Sequence, residues 1–203
     1  GSGYVLLGNG TRDQFLSATT FNNTGSYRFY FAHNHAGQTT NFQSSLTLNT
    51  NKSGGSDGWS YLVAENTNSS LSVAGLLTIN CAGTLQSNHR FLTGSGSTGT
   101  FAGLTINLTN SNPATSISMA DNGTSTYSSN ISVSNSGGAA GITFNANAAA
   151  SSTVTGSITS GTYSSGALNL YRFTQVGAIP QNLLLTNNGT ILRLGPGSSF
   201  DGD

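Results

Sequence analysis

Charge is what this 203-residue chain has least of. Only 6% of its residues are charged, against about a quarter in an ordinary globular domain. Six Lys and Arg balance six Asp and Glu, so the formal net charge is zero. The cations Arg12, Arg28, Lys52, Arg90, Arg172 and Arg193 are scattered along the chain. Binding a phosphate backbone needs them clustered, so neither nucleic acid nor an anionic membrane surface is an expected partner. No run approaches 18 apolar residues, so no membrane insertion of this segment is expected, and no secretion leader is read. Cys81 is alone, which excludes an intrachain disulfide; directly after an apolar word, it reads as a small buried hydrophobe. Prolines number three. The best helical window, Ala146-Asn147-Ala148-Ala149-Ala150, is too short to nucleate.

Gly, Ser, Thr and Asn make up about half of the sequence. Within this polar background an apolar-Thr/Ser-apolar-Asn/Ser word returns at even intervals: Leu77-Thr78-Ile79-Asn80, Leu104-Thr105-Ile106-Asn107, Ile131-Ser132-Val133-Ser134, Ile158-Thr159-Ser160 and Leu183-Leu184-Leu185-Thr186. A second series interleaves: Phe91-Leu92, Ile117-Ser118-Met119, Ile142-Thr143-Phe144, Leu168-Asn169-Leu170 and Ile191-Leu192. Each word alternates, so each is a short strand with one buried face. A fixed period of this size marks a solenoid. The expected fold is therefore all-β, a parallel right-handed β-helix with coils of about 26 residues. Leu77, Leu104, Ile131, Ile158 and Leu183 should stack as one internal ladder. Asn80 and Asn107, placed at coil corners, should bond amide to amide. Strands every dozen residues also suit an antiparallel β-sandwich, the rival fold.

Two regions differ in texture. Residues 1–66 hold Trp59, two of the three histidines and ten of the eighteen aromatics, and read as an aromatic-rich cap; residues 67–203 read as the regular solenoid. Alternation places Tyr27, Phe29 and Phe31 on one face of a strand, and Arg28 and Tyr30 on the other. Tyr27, Tyr30, Trp59 and Tyr61 are candidates for a sugar-stacking platform, because aromatic faces match the apolar faces of sugars. His33-Asn34-His35 puts two imidazoles on one strand face, an incomplete metal site for a single chain. Repeated around a threefold axis it would offer six nitrogens, which resembles the metal-pinned tips of trimeric phage tail fibres.

The stretch Leu77-Thr78-Ile79-Asn80-Cys81-Ala82-Gly83-Thr84-Leu85, with Asn188-Gly189-Thr190-Ile191-Leu192, resembles repeats of bacterial autotransporter passengers and filamentous-haemagglutinin-type adhesins. The likeness spans roughly residues 70–200. It implies a β-helix on the bacterial exterior, secreted or cell-surface, with a display or adhesion role. Enzymatic activity and cofactors are not expected. Glycoside hydrolysis needs two facing carboxylates, and the six acids Asp13, Asp57, Glu65, Asp121, Asp201 and Asp203 read as turn formers or surface charges, Asp121 within the turn Ala120-Asp121-Asn122-Gly123; no nucleophile elbow or phosphate loop precedes a helix. The leading expectation is a non-enzymatic structural fibre or adhesin domain that self-associates as a filament or trimer. The alternative is a glycan-binding trimeric tail-spike or fibre tip that meets a host or prey surface.

Overall fold

Alternating words of this length bury their apolar faces either in stacked coils or in a sandwich, and the computed structural model shows stacked coils. The chain winds as a β-solenoid of seven three-sided coils and part of an eighth. The structure describes residues 3–8, 12–33, 36–52, 58–176, 183–186 and 191–200. The first coil holds β1 (Tyr4–Leu7), β2 (Asp13–Phe15) and β3 (Thr19–Asn23), and the second β4 (Arg28–Phe31), β5 (Thr39–Phe42) and β6 (Leu46–Asn51). In the third and fourth, β7 (Trp59–Val63) and β9 (Asn88–Phe91) are followed by β8 (Ser70–Ala82) and β10 (Thr98–Leu108), long strands that run through a corner. The fifth coil holds β11 (Ser116–Met119), β12 (Thr124–Tyr127) and β13 (Ile131–Asn135). The sixth holds β14 (Gly141–Phe144), β15 (Ser151–Val154) and β16 (Ile158–Tyr163). The seventh holds β17 (Ala167–Leu170), β18 (Phe173–Gln175) and β19 (Leu183–Leu184), and β20 (Ile191–Leu194) and β21 (Ser199–Phe200) open the eighth. Every strand pairing among the described residues is parallel, which rules out the sandwich.

The expected ladder stands on the third face. Leu77, Leu104, Ile131, Ile158 and Leu183 are vertical neighbours, 27, 27, 27 and 25 residues apart, and Leu46 extends the column backwards. The second series needs correction. Ile117 lies over His89 rather than Phe91, and Leu168 lies over Leu192 rather than Ile191. Matching apolar letters shifted the phase at both ends; at the first, the interior accepts an imidazole where an apolar side chain was expected.

Pairing does not break near residue 66. β4 pairs β7, β7 pairs β9, and β5 and β6 both pair β8. The early aromatics fill the interior of the first coils rather than covering an end. Phe15 and Phe42 stack at 4.5 Å, and Phe21 meets Phe31 edge-on at 5.1 Å. Such pairs add about 1 kcal/mol each beyond their burial.

Corners are turned by residues in the left-handed region. Gly8, Ala32, Ala64, Leu92, Ala120 and Asn145, each directly after a first-face strand, have φ between 49° and 76°. For a non-glycine residue that conformation costs about 1 kcal/mol. Asn80 and Asn107 are not at these corners. They point outward from within their strands, in a ladder running Asn107 to Asn80 to Asn49 to Asn22, each amide donating to the next carbonyl at 2.8 Å. Asn80→Ala cuts two of these half-exposed bonds, so unfolding should become easier by about 1 kcal/mol. Calorimetry should show a midpoint lowered by about 2–4 °C.

One polar seam runs through the core. Lys52, Cys81 and His89 are all buried, and the Lys52 ammonium donates to the Trp59 carbonyl. Burial pushes the Cys81 thiol up to about 12, with Lys52 nearby opposing the rise. Thiolate is the reactive form, so iodoacetamide at about pH 8 should leave the folded protein unlabelled and modify Cys81 on addition of urea. Rapid labelling of the native chain would contradict this burial.

Candidate ligand-binding face

The outer surface of the first face is where the sequence put its platform. In β4, Phe29 and Phe31 turn inward and Arg28 and Tyr30 outward, as alternation requires; the Arg28 guanidinium donates to the Tyr30 hydroxyl at 3.2 Å. Parallel pairing seats Tyr4 over Arg28 and Leu6 over Tyr30. The Tyr4 and Tyr30 rings meet edge to face at 6.0 Å, and the His33 ring lies 4.3 Å from that of Tyr30. Tyr4, Leu6, Tyr30 and His33 line a cleft of about 210 Å³. His33 Nδ1 is 3.0 Å from Glu65 Oε2, ion-pair range without hydrogen-bond alignment. The cleft is smaller than the roughly 300 Å³ at which drug-sized pockets begin. Its walls are aromatic and its polar groups few, a combination that suits one sugar ring: C–H faces on tyrosine, hydroxyls to carboxylate or imidazole.

A second cluster lies farther along the same face. Leu62 separates the two, paired with Tyr30 on one side and Arg90 on the other. The Arg90 guanidinium sits 5.5 Å from the Trp59 ring centroid and donates twice to Asp121 Oδ2, its Nε at 3.0 Å. Ser118 donates to the other carboxylate oxygen at 3.1 Å. Asp121 occupies the bend expected of it, yet its carboxylate is buried and paired rather than a free surface charge.

The predicted residues therefore part company. Tyr30 belongs to the cleft. Tyr27 is half exposed and its ring lies against Gly3, where an added Cβ would come within 2.2 Å; no ring contact joins it to Tyr4 or Tyr30 among the described residues. Trp59 is covered by Arg90. Tyr61 is wholly inside, with its hydroxyl donating to the Asn49 and Phe21 carbonyls at 2.9 and 3.0 Å and its ionisation pushed upward by desolvation, so it is removed from the ligand set. A register shift between Trp59 and Tyr61 breaks the alternation that would have put both on one side. His35 lies outside the described residues. His33 faces Glu65, and no group of three His, Cys, Asp or Glu is placed to hold a metal among the described residues.

Tyr4 and Glu65 were not singled out for this site. The coil spacing carries them: Phe31 pairs Val63, so His33 and Glu65, each two residues later, hold equivalent places in adjacent coils. Compared with known proteins, the chain matches no protein-family model, no curated protein and no solved structure.

Proposed function

We propose that this chain is a non-enzymatic extracellular module of the fibre or adhesin kind, secreted or held at a cell surface, and that it displays a monosaccharide-sized glycan site on its first face. The β-solenoid is consistent with a structural or adhesin-like role, because a stack of like coils makes a stiff rod with long flat sides. The observation that carries the glycan reading is the cleft of Tyr4, Leu6, Tyr30 and His33 backed by Glu65. Its partner is a sugar on a host or prey surface, and self-association into a filament or trimer multiplies weak single sites into avid attachment.

A glycan array probed with the purified chain tests this. Tyr30→Ala should weaken the best hit by about tenfold, with unchanged circular dichroism. Hits that survive both Tyr30→Ala and Tyr4→Ala would move the site elsewhere. Light scattering and electron microscopy separate the two assemblies: long threads favour the fibre, a discrete trimer the spike.

A further inference from the structure

The second face has a different chemistry. Between the second and seventh coils, its described strands β5, β8, β10, β12, β15 and β18 carry no charged side chain on this face; the one cation that reaches it among the described residues is Arg12, whose guanidinium donates to the Asn41 amide oxygen at the first-coil end. Two outward ranks run straight along it. One is Thr39, Ser70, Thr98, Thr124 and Ser151; the other is Asn41, Ser72, Thr100, Thr126 and Thr153. The column between them, Thr40, Leu71, Gly99, Ser125 and Ser152, is buried. Thr98, Thr100, Thr124 and Thr126 are exposed, and their hydroxyls bond no other protein group among the described residues. The pairing holds one register from Thr39 to Ser151, so the ranks stay level. Tightly packed Phe42, Val73, Phe101, Tyr127 and Val154 back the surface.

A flat array of this kind selects its partner by charge and by period. A polyelectrolyte finds no row of countercharges along the ranks, and a single sugar finds no aromatic wall. The groups repeat at about 4.8 Å from coil to coil and about 6.6 Å along each strand. A partner that repeats in two dimensions at similar intervals engages the side chains of both ranks beyond Asn41 at once, and many weak contacts then add. Hexagonal ice is such a partner, being neutral and built of water oxygens with repeats of that size along its two principal axes. Threonine suits it doubly, since the hydroxyl joins the water lattice while the methyl excludes disordered water from between the ranks. We infer that the second face, through Thr98, Thr100, Thr124, Thr126, Ser151 and Thr153, is an ice-binding surface. The inference goes beyond the glycan reading and uses a different side of the rod.

The test is partition into slowly growing polycrystalline ice, followed by Trp absorbance, with serum albumin as the excluded control. The wild-type chain should be enriched in the ice and slow recrystallisation of an ice film. Thr126→Tyr lifts a ring out of the plane at an exposed position, so folding should be unchanged by circular dichroism while enrichment falls by about tenfold. Tyr30→Ala, on the other face, should partition as the wild type does. Exclusion of the wild-type chain from ice, or equal partition of Thr126→Tyr, overturns the assignment. So does binding to microcrystalline cellulose or chitin in place of ice. Because Tyr30→Ala reports on the first face and Thr126→Tyr on the second, failure of either proposal leaves the other standing.

Discussion

Lowering the pH from about 6.5 to about 3 should strip the fold of about 5 kcal/mol, and His89→Leu should abolish most of that loss. His89 is fully buried, its ring centroid 5.3 Å from that of Tyr61 and tilted 33° to it on one side, and it is paired with Ile117 on the other. Neither ring nitrogen has a hydrogen-bond partner among the described residues. Desolvation, and after it the positive charge of Lys52, pulls the imidazole down from 6.5 to about 3. The unfolded chain therefore takes up this proton first. Stability is whole above pH 6.5 and declines as pH falls through the window to about 3, below which both states are protonated. A loss of that size approaches the whole stability of many domains, about 5–15 kcal/mol. Urea titrations at neutral pH and near pH 4 would read it as a fall in midpoint in the wild type and a much smaller one in His89→Leu. Parallel falls in the two proteins would mean that His89 is not the acid-labile point.

The same residue marks where the sequence stopped being readable. Leu77, Leu104 and Ile131 announce their column because words of one pattern recur at identical steps, and a solenoid turns sequence period directly into spatial neighbours. The outward asparagines were legible for the same reason, although not their place within the strands. Alternation in Arg28-Phe29-Tyr30-Phe31 assigned each side chain to the correct side. His89 was invisible because an imidazole between polar letters carries no apolar signal; only the register exposes it. Tyr61 was misplaced by one shifted residue beside Trp59, a local irregularity that composition does not encode. The cleft was half seen: Tyr30 and His33 stood out as local features, whereas Tyr4 and Glu65 arrive from neighbouring coils, 24 and 32 residues from their counterparts Arg28 and His33. A boundary near residue 66 followed from a change in side-chain texture, which altered what fills the coils and left their pairing intact.

Asn110→Ala should destabilise the fold by about 4 kcal/mol, far more than loss of any outward asparagine. Asn110 is fully buried after β10, where two successive loops pack against each other. Its amide donates to the carbonyls of Ala82 and Leu85, both at 2.9 Å. Its oxygen accepts from the Asn112 N–H at 2.8 Å and from the Thr115 hydroxyl at 3.1 Å, while Thr115 accepts from the Ser87 N–H at 3.0 Å. One side chain thus satisfies four groups in two successive coils, and each buried group left unpaired costs about 1–3 kcal/mol. The midpoint should drop by about 10 °C, read by calorimetry. Asn110→Asp is the sharper probe, since it keeps the shape and the two accepted bonds but turns a carboxylate oxygen toward two carbonyl oxygens. At neutral pH it should be less stable than Asn110→Ala, and acid should narrow the gap by protonating the carboxylate into a donor. An aspartate tolerated as well as the native amide would mean that the two carbonyls do not depend on Asn110, and that the loops are held by their backbone bonds alone.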